Sequence, residues 1–251
     1  MAAESLGSAL MLTQTKDFLS DQVRAVLARL WPKPDPAAVV AAMDEVFHLA
    51  DATWDARRRS LDYLRHAPPI ACASGCGWCC HQQLGVSVPE AVRLAAHLAA
   101  LPEPERGELT RRVTETDRQT RGLTTLERAQ ARVACAFLGA DGRCMVYAVR
   151  PLRCRGVHSI DRDFCIACYE DLEAMRAKLA DGRLKAVFLD APARIYDSAL
   201  SGVIDTLVRH APKAAVALEM VAAIATLIAD PALGRRWLAG RAPDSGLHLH
   251  P

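Results

Sequence analysis

The run Cys72-Ala-Ser-Gly-Cys76-Gly-Trp-Cys79-Cys80-His81 places four thiols and an imidazole within ten residues. Core packing does not require that density, and it constrains the chain more than any other stretch. Five further cysteines follow, Cys135, Cys144, Cys154, Cys165 and Cys168. In a reducing compartment such thiols are metal ligands or redox groups rather than structural disulfides, and an odd count of nine suits a closed disulfide framework poorly. Thiolates are soft ligands that select zinc, copper(I) or iron–sulfur clusters. They usually come in close pairs, so that one loop presents two sulfurs to the same ion. Cys76 and Cys79 have the CxxC spacing, as do Cys165 and Cys168. Cys72 stands one helical turn before Cys76. Cys79 and Cys80 are adjacent, so their side chains diverge. One of them is free to serve a second centre, bridge two metals or remain a redox-active thiol. Nine cysteines suffice for two four-thiolate sites with one left over.

The rest of the chain reads as scaffold. With 251 residues, half of them hydrophobic, it can bury a core of its own. Aromatics are scarce and Ala, Leu and Arg abundant, which favours helices. The expected fold is therefore all-α, with irregular cysteine-rich loops around a metal centre. A single domain spans 1–251, the cysteine region occupies 70–170, and helical scaffold lies at 1–66 and 190–240. A formal charge of +2 leaves no electrostatic footprint for nucleic acid or an anionic membrane. No basic residue precedes the short apolar run Ala9 to Leu12, and the apolar stretch Ala214 to Ala229 is shorter than a membrane span and carries Glu219. The expectation is a soluble, cytoplasmic protein with no membrane partner. Its partner is an unidentified small-molecule or protein substrate.

Apolar spacing predicts helices over 4–31, from an Asp35 cap to about Arg65, from a Ser87–Glu90 capping box to Ala100, and over 105–122 and 125–133. The 105–122 segment, rich in mixed charges, reads as a solvated helix with intrahelical ion pairs. Asp141-Gly142 marks a tight hairpin between Cys135 and Cys144. A helical turn follows at Met145–Val149. Cys165-Ile-Ala-Cys168 should precede a helix at Tyr169–Leu179, with further helices at 192–209, 213–229 and 231–240 and a frayed tail from Arg241. His48 and His66 read as packed or solvated side chains. His81 and His158 lie close enough to cysteines in sequence to replace a thiolate, and the tail residues His248 and His250 are weaker ligand candidates.

Cys72-x3-Cys76-x2-Cys79 coincides with the spacing that radical S-adenosylmethionine enzymes use, but the chain lacks the strand–helix alternation of their barrel. A fuller resemblance covers about 70–170. Cys72, Cys76, Cys79 and Cys80, then Cys135-Ala-Phe-Leu138, then Cys144-Met-Val-Tyr147-Ala-Val-Arg150-Pro151-Leu-Arg-Cys154-Arg155 resemble the cysteine-cluster family of zinc- or iron-chelating domains, the CxxCxxCC type. The chain departs from that pattern in having three residues between Cys72 and Cys76. The resemblance implies metal chelation and points toward iron–sulfur chemistry. Flagellin lysine methylases carry a similar cluster, so a methylase-like enzyme is a further expectation.

All nine cysteines are candidate metal ligands. The expected cofactor is one or two iron–sulfur clusters, of the 4Fe–4S type, serving redox or radical chemistry, with zinc in a structural or partner-binding role as the alternative. Arg150, Arg153 and Arg155 are candidates for neutralising a thiolate cluster or binding a carboxylate or phosphate. Against that stands pairing with Asp161 or Asp163 at the surface. Tyr147 is either a packed aromatic or a proton donor, and with Arg150 and Arg155 completes the catalytic candidates.

Overall fold

The computed structural model describes residues 18–185 and 187–250. The predicted helix at 4–17 lies outside them, and residues 18–28 are helical (α1). The chain is mostly helical, with a single two-residue antiparallel ladder between Gly85–Val86 (β1) and Leu218–Glu219 (β2) among the described residues. After α1 come α2 (Pro36–Arg59) and α3 (Leu61–His66), then α4 (Val88–Ala100), α5 (Glu105–Thr120) and α6 (Thr125–Ala131). The later helices are α7 (Leu152–Gly156), α8 (Arg162–Glu170), α9 (Leu172–Ala180), α10 (Asp190–His210), α11 (Met220–Ala229) and α12 (Ala232–Leu238). No described helix is long and apolar enough to cross a membrane.

Local chemistry explains the element starts. The Asp35 carboxylate accepts from the amides of Ala37 and Ala38, and Pro36 occupies the first turn of α2, where its missing N–H is no loss. Glu90 completes the capping box of α4 by accepting from the Ser87 amide (2.9 Å) and hydroxyl (2.8 Å). On α5 the expected ion pairs form at Glu108–Arg111 (2.9 Å), Glu115–Arg118 (2.7 Å) and Asp117–Arg121 (2.7 Å). Its opposite face buries Leu109 and Val113.

The helices pack by their apolar stripes. α4 lies on α2 and α11, α11 lies on α5, and α10 runs against α7 and α2. Gly156 makes the α7–α10 approach possible: a Cβ there would sit 3.3 Å from that of Tyr196 and 3.4 Å from the Ala193 backbone. The buried cluster runs from Leu19 through Met43, Leu94 and Val203 to Leu247, and takes in Ala136, Phe137, Val146 and Leu152 from the cysteine region.

Four expectations are corrected. The helix expected to reach Arg65 ends at Arg59, because Ser60 is extended (φ −66°, ψ 143°) and its hydroxyl starts α3 by accepting from the Tyr63 amide. Cys165 and Cys168 lie inside α8 rather than ahead of a helix. Asp161 caps α8 at the Phe164 amide, and Asp171 starts the separate α9. The helix expected from 213 begins only at Met220, after a turn at Pro212–Ala214 and strand β2. The tail is docked rather than frayed: Leu247 is 2% exposed, the Leu249 amide donates to Ala217 O, and the His250 carbonyl accepts from the Thr125 amide.

Candidate metal centre

Four segments carry the nine cysteines, and direct contacts join three of them. The loop 72–81 ends in a 3-10 turn, Trp78–His81, that packs on α8. The Cys80 carbonyl accepts from the Cys135 amide at 2.7 Å, which joins this loop to the second cysteine segment. That segment is the expected hairpin. The Gly139 amide donates to Arg143 O (2.7 Å), the Met145 amide to Phe137 O (2.8 Å), and Leu138 bridges Cys144. The hairpin tip lies directly against the loop: a Cβ on Gly142 (φ +76°) would fall 2.4 Å from the Gly75 carbonyl oxygen. Only glycine fits there, both in φ and in space. Arg112 of α5 holds the hairpin from behind, donating to the carbonyls of Ala136 (2.8 Å) and Leu138.

Cys154 sits on α7, which is pinned from three sides. The second carboxylate oxygen of Glu90 accepts from the Leu152 amide at 2.9 Å. Arg155 donates to the carbonyls of Arg150 (3.0 Å) and Ala148 (2.5 Å) and to Asp51 (2.7 Å), while the Tyr196 hydroxyl donates to the other Asp51 oxygen at 2.7 Å. Arg93, over the Phe47 ring at 4.2 Å, donates to the Val149 carbonyl. The fourth segment joins the first through Ser159, whose amide donates to the Cys72 sulfur at 3.2 Å while its side chain bonds Cys165.

All nine cysteines are free thiols, exposed or half-buried as residues. Burial pushes Cys135 up to about 11. It also raises Cys72, Cys144, Cys154, Cys165 and Cys168, whereas Cys79 is raised first by a hydrogen bond with Cys80. Nearby thiols add to these rises: Cys79 acts on Cys72, Cys144, Cys154 and Cys165, and Cys135 and Cys144 both act on Cys154. Among the described residues, no three His, Cys, Asp or Glu side chains are drawn into a group that could hold a metal ion in this arrangement.

The arginines separate clearly. Every nitrogen of the Arg155 guanidinium has an acceptor, Asp51 rather than Asp161 or Asp163 being its carboxylate, so this side chain holds α7. Arg153 is exposed. Arg150 lies over the Tyr147 ring at 4.2 Å, its Nε is buried without a hydrogen-bond partner, and its charge favours the thiolate forms of Cys72, Cys79, Cys144 and Cys154. Tyr147 is 60% exposed and serves as the face on which Arg150 rests.

Of the histidines, His81 packs edge-on to Tyr169 at 4.7 Å and His158 is tilted against Trp54 at 5.6 Å. His48 and His66 are exposed. The His248 Nε2 is buried without a partner, and His250 contributes its carbonyl. Sequence reasoning missed Asp51, Ser159 and Arg112. The first two are spaced 104 and 87 residues from their partners, and no local pattern signals such contacts.

A comparison with family models matches residues 71–175 to CxxCxxCC, described as "Putative zinc- or iron-chelating domain". Residues 71–175, less than half of the chain, are thus similar to that family. The match takes in all nine cysteines and ends within α9. A search of the curated proteins and a search of the solved structures each gave no match. The donor chemistry of the matched segment fits a soft metal: nine thiols free of disulfides, with the Arg150 charge favouring the thiolate form of four of them.

Proposed function

We propose that the CxxCxxCC segment holds one or two cysteine-ligated iron–sulfur clusters and serves redox or radical-type chemistry. The observation that carries this reading is the number of free thiols, nine on four chain segments, more sulfur than one structural ion needs. Cys72, Cys76, Cys165 and Cys168 would hold one centre, and Cys135, Cys144 and Cys154 a second. Cys79, hydrogen-bonded to Cys80, would join one of them. A cluster of this kind, when bound, supplies one-electron transfer at a potential tuned by charge, hydrogen bonds to sulfur and exposure.

The protein's own residues would set that environment. The Ser159 amide donates to Cys72, and the uncommitted Arg150 cation offsets thiolate charge. Asp51, Glu90 and Arg155 hold α7, and with it Cys154, in place. The sulfurs must still close in on the metal, and the exposed loop 72–75, adjoining Gly75 (φ +86°), is the segment freest to do so. Uptake would then release protons, since the raised thiols must ionise to bind. Anaerobic purification followed by iron, zinc and acid-labile sulfide analysis tests this reading. Brown protein with iron and sulfide supports it. A colourless protein with stoichiometric zinc replaces it with the structural-zinc reading.

A further inference from the structure

Buried polar atoms nearly always have partners, because an orphan forfeits the hydrogen bonds water would give it. Three such orphans gather about Trp54, Arg57 Nε, the Tyr63 hydroxyl and His158 Nδ1, and a fourth, Arg150 Nε, belongs to the arginine whose charge acts on His158. Trp54 is the hub. It meets the Tyr63 ring edge-on at 5.4 Å and the His158 ring at 5.6 Å. The Arg57 guanidinium lies 5.6 Å from the Tyr63 ring centre, and the Arg150 charge acts on His158. The neighbourhood is cationic. Arg57, Arg58 and Arg150 stand against two carboxylates, Asp62, which pairs with Arg57 through Nη1 at 2.9 Å, and Asp55, which pairs with Arg58 at 2.7 Å.

What covers this neighbourhood is weakly held. α3 is six residues long and buries none of them, and Leu61 and Leu64 are 69% and 65% exposed. It hangs between the break at Ser60 and Pro68-Pro69. A helix this short has little stability of its own. Lifting it would swing Tyr63, which it carries, away from Trp54 and open Arg57.

We propose that a small oxyanion-bearing molecule, a carboxylate or phosphate, binds beneath α3 against Arg57, Tyr63, Arg150 and His158, with α3 as its lid. Two guanidinium Nε–H groups and a phenol O–H donate to the anion, and His158 Nδ1 donates or accepts according to its tautomer. The site adjoins the thiols through Arg150 but does not depend on which metal they hold.

The test titrates the full-length protein with inorganic phosphate and, separately, with acetate. Chloride maintains constant ionic strength, and the readout is the Trp54 indole N–H resonance, assigned by its loss in Trp54→Phe. A saturable shift with either probe is expected, and the stronger probe tells phosphate from carboxylate. Tyr63→Phe, which keeps the ring against Trp54, and Arg57→Gln should each weaken that binding about tenfold while metal content stays unchanged. Two outcomes overturn the proposal: no saturable shift with either probe in natively folded protein, or equal binding in both variants. Metal content, read on the same samples, keeps this outcome distinct from the fate of the cluster reading.

Discussion

Gly142→Ala probes whether the hairpin must lie against the cysteine loop. At φ +76° an alanine costs about 1–2 kcal/mol in backbone strain. Its Cβ would also stand 2.4 Å from the Gly75 carbonyl oxygen, a backbone atom that cannot rotate away, so the two segments must separate. Overpacking of this kind adds about 1–3 kcal/mol. Gly182→Ala supplies the control, because Gly182 has φ +75° but nothing within 4 Å of its Cβ position. The pair therefore isolates the clash from the strain. Urea denaturation should place the Gly142→Ala midpoint on the order of 1 M below that of Gly182→Ala, and metal analysis should show less metal per chain in Gly142→Ala alone. Equal midpoints and equal metal content in the two variants would refute the apposition of loop and hairpin as a requirement for binding.

Other outcomes follow from the same contacts. Asp51→Asn removes the carboxylate shared by Arg155 and Tyr196 and should destabilise the protein by about 1–3 kcal/mol, read by denaturation, with the loss greater than for the exposed pair variant Glu108→Gln. Cys135 ionises at about 11 in the folded metal-free chain against an ordinary 9.0, so the unfolded chain loses this proton first. Stability of metal-free protein should therefore fall as pH rises through that window, and Cys135→Ala should flatten the fall. Leu247→Ala empties a site 2% exposed and should cost about 2–4 kcal/mol; an unchanged melting temperature would mean the tail is not docked.

What could be read from the sequence was what neighbouring residues decide among themselves. Ser87 and Glu90 announce the start of α4, Asp141-Gly142 the hairpin, and the spacing of Cys76, Cys79 and Cys80 the thiol-rich loop. The interruption at Ser60 was missed because apolar spacing continues across it, while the break is made by one hydroxyl that serves both Arg57 O and the Tyr63 amide. Asp161 was read as a possible arginine partner, yet its side chain caps α8, so the CxxC pair sits within a helix. The three neighbouring arginines look alike in sequence. Only the fold shows Arg155 tied to Asp51 and Arg150 left facing sulfur. The tail docks through a bridge from His248 to Leu218 and the Leu249 amide on Ala217 O, partners far along the chain that no window of local sequence contains.

The most direct test of the central claim is metal K-edge X-ray absorption on anaerobically purified protein, taken together with metal and sulfide stoichiometry. The account predicts retained metal with a first shell dominated by sulfur, and a short metal–metal vector if clusters are present. A protein that retains no metal, or whose metal shows only nitrogen and oxygen neighbours, would contradict it.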